Sequence, residues 1–121
     1  MSGLQHVALE TRPADAEAEV GFWALLGFDR VAPPASLRDR ATWLQSGATQ
    51  IHLLHAEDPV TPPRGHVAVV APAFDVTIAL LEHAGHATEP RTPHWGAPRS
   101  YVRSPAGHLV EVMAAPPATS G

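Results

Sequence analysis

The sequence lacks cysteine and has no cluster of basic residues, and both absences narrow the possible functions. Without cysteine, the chain forms no disulfide bonds, thiolate metal sites or cysteine nucleophiles, a composition that fits a reducing cytosol. The chain has 8 lysines and arginines and 12 acidic residues, so the formal charge is −4 at pH 7. We therefore expect a cytoplasmic protein without a surface for nucleic acid.

Long apolar runs are also missing. No apolar stretch approaches the ~20 residues that a membrane-spanning helix needs, and residues 1–20 lack a basic segment followed by an apolar one. We expect neither a membrane segment nor a signal peptide. Aromatic residues make up only 6% of the chain, so an aromatic-lined groove would be sparse. The 121 residues, 45% of them hydrophobic, suffice for one compact domain or two small joined repeats.

The first half of the chain predicts the element order β-α-β-β-β. Polar and apolar residues alternate in the strands, and the helix combines early acidic residues with later apolar ones. The strands are predicted at residues 5–10, 28–31, 41–44 and 49–54, and the helix at residues 15–26, ending at Gly27.

The second half repeats this order after a proline-rich linker. Strands are predicted at residues 65–70, 87–89, 100–103 and 108–113, a helix at 74–83 and a long loop at 90–98. The predicted organisation is a first module at 1–56, a linker at 57–64, a second module at 65–114 and a frayed tail at 115–121.

An internal repeat supports the two-module prediction. Gln5-His6-Val7-Ala8 matches Gly65-His66-Val67-Ala68 at an offset of 60 residues. Gln50-Ile51-His52-Leu53 falls opposite Leu109-Val110-Glu111-Val112 at an offset of 59, and one loop residue explains the difference. Because the element order repeats as well, chance similarity between short strands is the weaker explanation.

Four potential metal ligands occupy repeat-equivalent strand positions. They are His6, His52, His66 and Glu111. Imidazoles combined with one carboxylate suit Zn, Ni, Co, Mn or Fe(II). The alternatives are strand histidines that hydrogen-bond to neighbours and a solvent-facing glutamate. Val110 and Val112 place Glu111 on the opposite face of the strand from themselves, but periodicity does not say whether that face lines a pocket.

These segments resemble the vicinal oxygen chelate superfamily, which includes glyoxalase I, extradiol dioxygenases and bleomycin resistance proteins. The resemblance covers about residues 4–113, and the run from Ser104 to Glu111 is similar to the family's Asp-Pro-x-Gly-x-x-x-Glu motif. It implies an α+β fold, in which two βαβββ modules with curved mixed sheets surround a shared pocket, and a homodimer. It also implies that His6, His66 and Glu111 bind a divalent metal. His52 departs from the family, because glyoxalase I has a glutamate at this position.

The resemblance implies three possible functions. The first is a divalent-metal-dependent lyase or isomerase, glyoxalase-like, that acts on a small oxygenated metabolite and uses Glu111 or His52 as the base. The second is an Fe(II) extradiol-type dioxygenase, for which Tyr101 would be catalytic together with His52. The third is a metal-free binding protein of the antibiotic-resistance kind.

Three further residues are candidates for substrate binding. Trp43 and Trp95 offer stacking surfaces, which would matter most in a metal-free binder. Arg99 is predicted to lie with Arg91 and Trp95 in the long loop of the second module, where it would meet an anionic or aromatic ligand. A surface loop with a half-buried tryptophan is the structural alternative.

Overall fold

A computed structural model describes residues 2–118, and it divides into two compact units between Thr61 and Pro62. Each unit contains one helix and one open four-stranded mixed sheet in the order β-α-β-β-β. The predicted fold class, α+β with two βαβββ modules, is confirmed.

The first unit contains the strands β1 to β4 and the helix α1. Their bounds are β1 His6–Thr11, α1 Ala16–Ala24, β2 Asp29–Val31, β3 Ala41–Ser46 and β4 Thr49–His55. The spatial order is β1-β4-β3-β2, with β1 and β4 parallel and the other pairs antiparallel. Two short 3-10 helices, Pro13–Asp15 and Ala35–Leu37, were not predicted from the sequence.

The core of the first unit comes from alternate residues of its strands and from the helix. Leu44, Ile51 and Leu53 are buried, as are Phe22 and Trp23 of α1. Ile51 and Leu53 lie on the opposite face of β4 from His52, because successive side chains of a strand alternate. Burying these large side chains stabilises the unit and leaves the other sheet face available for polar groups.

The second unit repeats the arrangement with β5 to β8 and α2. Their bounds are β5 Val67–Val70, α2 Phe74–His83, β6 Thr88–Arg91, β7 Arg99–Arg103 and β8 Leu109–Met113. The order is β5-β8-β7-β6, and again the first and last strands in the chain pair in parallel. Its buried residues include Leu81, Val102, Val110 and Val112.

Both helices end in the same way. Gly27 and Gly85 have φ angles of 89° and 94°, a left-handed conformation that only glycine adopts without strain. In each case the next residue closes the turn, since Phe28 N–H donates to the Trp23 carbonyl and His86 N–H donates to the Leu81 carbonyl.

The structure corrects several predicted positions. Arg91 ends β6 and Arg99 begins β7, so neither lies in the predicted loop; the ladder between these strands extends further than the prolines suggested. His66 lies immediately before β5 and not within a strand. Of the tail predicted at 115–121, residues 119–121 lie outside the described part. No helix between residues 2 and 118 is long and apolar enough to cross a membrane.

Candidate functional site

The two sheets hold the candidate residues in the same register. In the first unit Ala8 pairs with His52, and in the second Ala68 pairs with Glu111. Both alanines lie two residues after a histidine, His6 or His66. His52 and Glu111 therefore occupy the same position in their respective sheets.

An aromatic residue faces that position from the neighbouring strand in both units. Trp43 pairs with His52 across β3 and β4, and Tyr101 pairs with Glu111 across β7 and β8. Residues paired in register lie on the same face of a sheet. Each unit thus places a histidine, a central polar group and an aromatic ring on one face, although the chemistry differs between the units.

In the first unit three rings form a continuous stack. Trp43 lies 3.9 Å from His52 at an interplanar angle of 2°, and His52 lies 4.0 Å from His6 at 18°, both measured between ring centroids. Glutamines hold the imidazoles, since His6 Nδ1 lies 2.6 Å from Gln5 Oε1 and His52 Nε2 lies 2.8 Å from Gln50 Oε1. Trp43 also lines a cavity of about 370 Å³.

The surroundings of His52 disfavour its protonated form. Burial, and to a smaller extent repulsion from His6, lowers the pKa of His52 from its ordinary value. A neutral imidazole is a competent metal ligand, but the two rings are nearly parallel. Imidazole nitrogens bind an ion close to the plane of the ring at ~2.0 Å. One ion cannot lie in both planes while the rings remain stacked.

In the second unit Glu111 lies between two basic side chains. Its Oε1 is 3.2 Å from His66 Nε2, and its Oε2 is 3.2 Å from an Arg99 Nη1. Glu111 and Arg99 are both buried, whereas 31% of the His66 side chain is exposed. A buried carboxylate needs a partner of opposite charge, and Arg99 supplies that partner for Glu111.

Arg99 is held on several sides. Its Nε donates to the Thr92 carbonyl at 2.8 Å, and its guanidinium lies 5.7 Å from the Trp95 ring and 5.6 Å from the Tyr101 ring. A hydrogen bond to Tyr101, followed by the interaction with Glu111, raises the pKa of Arg99. The guanidinium is therefore a permanent and fixed positive charge at this site.

A cavity of about 780 Å³ opens beside this cluster within the second unit. His66 and Tyr101 line it, together with Glu89, Arg91 and Arg103. Arg91 pairs with Glu89 at 2.8 Å and lies 4.9 Å above the Tyr101 ring. The volume is within the range of small-molecule sites, so a ligand in this cavity would meet both His66 and Tyr101.

Within each unit the structure brings two of the four candidate metal ligands together. His6 stacks on His52, and His66 contacts Glu111. Between residues 2 and 118, no group of three or more His, Cys, Asp or Glu side chains is arranged to hold a metal ion. Both carboxylate oxygens of Glu111 already have partners. As arranged in each unit, these residues do not fit a metal site, and the divalent metal stays a prediction.

Sequence reasoning missed the role of Arg99 as the partner of Glu111. It assigned Arg99 to a loop and to substrate binding, but the guanidinium is turned toward the carboxylate. A signal was present, because Arg99, Tyr101 and Arg103 alternate with Ser100 and Val102, which is typical of a strand with one polar face. The indole Nε1–H of Trp95 donates a hydrogen bond to the Ala115 carbonyl at 2.8 Å, which fixes the ring.

No protein-family model and no curated protein sequence matches this chain. Solved structures do match it in fold. A Bacillus anthracis protein described as glyoxalase-family has a TM-score of 0.82 and 23% identity, over 93% of this chain and 94% of that one. Lactoylglutathione lyase from Agrobacterium tumefaciens has a TM-score of 0.71 and 21% identity, over 93% of both chains.

The description of a third similar structure names a different activity. The oxidase ChaP-H2 has a TM-score of 0.78 and 16% identity, over 100% of this chain and 99% of that one. At these identities the comparisons show a shared fold and leave the reaction open, since one fold hosts many chemistries. The chain thus has the glyoxalase-like fold that the sequence motifs implied.

Proposed function

We propose that this chain is a glyoxalase-like enzyme of the lyase or isomerase type, which moves a proton on a small oxygenated metabolite. Glu111 is the base in this proposal and accepts the proton through His66, because His66 lines the cavity whereas Glu111 is buried. The observation that carries it is the contact between His66 and Glu111 at 3.2 Å beside a ligand-sized cavity, because it joins a histidine that lines the cavity to a buried carboxylate.

The hydrogen-bond donors and acceptors around His66 lead to this conclusion. His66 Nδ1 lies 2.9 Å from the Arg64 carbonyl, which only accepts, so Nδ1 carries a proton. In a neutral imidazole, Nε2 would then be an acceptor facing Glu111 Oε1, also an acceptor, at 3.2 Å. The contact becomes a hydrogen bond only when one further proton resides on His66 or on Glu111. In the proposed mechanism the two side chains form a pair that shares one exchangeable proton.

Arg99 and Tyr101 complete the arrangement. Arg99 holds Glu111 from the side opposite His66, which fixes the orientation of the carboxylate. Tyr101 lines the cavity, so in this proposal its hydroxyl donates a hydrogen bond to the ligand. When a proton leaves a carbon beside a carbonyl, negative charge develops on oxygen, and a positioned hydroxyl stabilises it.

The experiment that tests this proposal is hydrogen–deuterium exchange into a panel of 2-hydroxy and 2-oxo carbonyl compounds, followed by NMR. We expect the wild type to exchange the proton next to the carbonyl of at least one compound, and Glu111→Gln to lose this activity. Glu17→Gln is the matched control, since Glu17 is an exposed carboxylate of the first unit paired with Arg30. Equal exchange rates in the wild type and in Glu111→Gln would contradict the proposal.

A divalent metal is tested separately. Elemental analysis of protein purified without chelator, beside the His6→Ala/Glu111→Ala double variant, measures whether Zn, Ni, Co, Mn or Fe is bound. Stoichiometric metal that is lost in the variant would show that His6, Glu111 or both contribute to a metal site. Metal-free protein that still catalyses exchange would assign the chemistry to the side chains alone.

The extradiol dioxygenase is the second candidate function. Tyr101 and His66 are neighbours, with ring centroids 5.6 Å apart, and Tyr101 is the only tyrosine in the chain. The fold shared with an oxidase agrees with this candidate. It predicts oxygen consumption with catechols that requires added Fe(II), and a loss of that activity in Tyr101→Phe.

The metal-free binding protein receives less support from the two tryptophans proposed as its stacking surfaces. One face of Trp43 is covered by His52, and the guanidinium of Arg99 lies over the Trp95 ring. Each ring therefore has at most one face for a ligand. Saturable binding of an aromatic antibiotic that disappears in Trp43→Leu would favour this alternative.

Homodimer formation, a pocket shared by the two modules and a cytoplasmic location stay predictions from the sequence. Light scattering measures the oligomeric state directly. If the protein is a dimer, mixing a His6→Ala variant with a Glu111→Ala variant tests whether one chain completes the site of the other, because only a shared site would recover activity on mixing.

A further inference from the structure

The cavity of the second unit has a charge opposite to that of the whole chain. Three arginines, Arg64, Arg91 and Arg103, line it, and Glu89 is the one carboxylate among its lining residues. The chain as a whole carries a formal charge of −4. A positive cavity in an acidic protein attracts small anions while the remaining surface repels them.

Two of these arginines carry charges without a counter-ion. Arg91 pairs with Glu89 at 2.8 Å. Arg103 donates from Nη1 to the Gly107 carbonyl at 3.0 Å, a neutral acceptor that fixes the guanidinium and leaves its charge uncompensated. Within residues 2–118 neither Arg64 nor Arg103 forms an ion pair. Guanidinium groups in this state are suited to bind a carboxylate or a phosphate through paired hydrogen bonds.

We propose that this cavity binds an anionic group, a carboxylate or a phosphate, through Arg64 and Arg103. That this anionic group belongs to the substrate rests on the function proposed above. That the cavity binds an anion does not depend on that function. Leu109 and Tyr101 line the same cavity and provide an apolar wall for the carbon skeleton next to the anionic group.

The position of the cavity gives the anion an orienting role. Arg64 contributes its carbonyl to His66, so the anion-binding residue and the proton-transferring histidine are joined by a hydrogen bond at 2.9 Å. Arg103 lies on the same strand and the same face as Tyr101, two residues away. A ligand whose anionic group is held by Arg64 and Arg103 extends toward His66 and Tyr101. The substrate class is therefore a small organic acid or phosphate ester with a carbonyl near its charged group.

Isothermal titration calorimetry at low ionic strength tests this site with inorganic phosphate and with succinate as probes. We expect wild-type protein to bind at least one probe at a single site, and Arg64→Gln/Arg103→Gln to bind it about tenfold or more weakly, since hydrogen bonds to charged groups are lost. Arg38→Gln is the matched control, because Arg38 is an exposed arginine of the first unit. Circular dichroism verifies that each variant is folded.

The outcomes separate the two possible ligands and the two proposals. Tighter binding of phosphate points to a phosphate ester, and tighter binding of succinate points to an organic acid. No binding of either probe at millimolar concentration, or an equal loss in Arg38→Gln, would overturn the anion site. Anion binding retained in Glu111→Gln supports the site independently of catalysis. If the exchange panel then gives no turnover, the function fails and the anion site stands.

Discussion

Arg99 and Glu111 lie on adjacent antiparallel strands and meet at 3.2 Å, with both side chains buried. They are not directly paired in the ladder, since Arg99 pairs with Met113 and Glu111 pairs with Tyr101. The long guanidinium reaches diagonally across the sheet face to the carboxylate. The same face therefore carries a charge pair in the second unit, whereas the first unit has Ala41 at the position that corresponds to Arg99.

Removing the guanidinium is expected to destabilise the second unit. Arg99→Met leaves Glu111 buried without its positive partner, and desolvation of an uncompensated carboxylate is unfavourable. Arg91→Met is the control, since it removes an exposed ion pair and an exposed contact with the Tyr101 ring, each of which contributes at most about 1 kcal/mol. Urea denaturation should give a larger loss in Arg99→Met than in Arg91→Met, and Arg99→Met/Glu111→Gln should recover part of it. Similar losses in both single variants would contradict a stabilising role for the buried pair.

Removing the proton-sharing partner should slow exchange. His66→Phe keeps a ring of similar shape but cannot hold the proton, and general acid–base groups contribute ~10²- to 10⁴-fold to rates. For the compound found in the exchange panel, we expect kcat to fall within this range. His83→Phe controls for the general loss of a histidine, since His83 is an exposed residue at the end of α2. An unchanged kcat would remove His66 from the reaction.

Acid should destabilise the first unit through His52. Because the pKa of His52 is lower in the folded protein than its ordinary value of 6.5, the unfolded chain binds the proton more readily. The stability that a neutral His52 contributes is therefore fully present above about pH 6.5. It is lost as the pH falls toward and through the lowered pKa of His52 in the folded state. We expect the free energy of unfolding of His52→Gln to depend less on pH in this window than that of the wild type. Parallel curves for the two proteins would contradict the burial of a neutral His52.

Opening the ring stack should change the titration of His52. Burial is the main cause of its lowered pKa, and Trp43 covers one face of the imidazole. In Trp43→Ala, water reaches that face, so the pKa of His52 should move up toward the ordinary value. NMR titration of the ring Cε1–H signals measures this shift. Trp95→Ala, in the second unit, should leave the titration of His52 unchanged; an equal effect would mean that the stack has no specific influence.

The element order followed directly from the sequence, because it depends on local patterns. Alternation predicted β4 and β8, and the helix end at Gly27 required a backbone conformation that few other residues adopt. The repeat also placed His52 and Glu111 at corresponding positions, which the strand register bears out. The boundaries near prolines were less accurate, since β6 extends through Pro90, where the sequence suggested a loop.

The chemistry of the candidate site was decided by tertiary structure. The sequence placed His6 and His52 together as metal ligands, but their rings stack on Trp43, an arrangement that depends on side-chain packing across three strands. It also left the environment of Glu111 open, because alternation identifies a face and not the groups that cover it. Only the folded second unit brings Arg99, twelve residues away in the chain, to the buried carboxylate, since a charge pair depends on register and side-chain reach and not on sequence spacing.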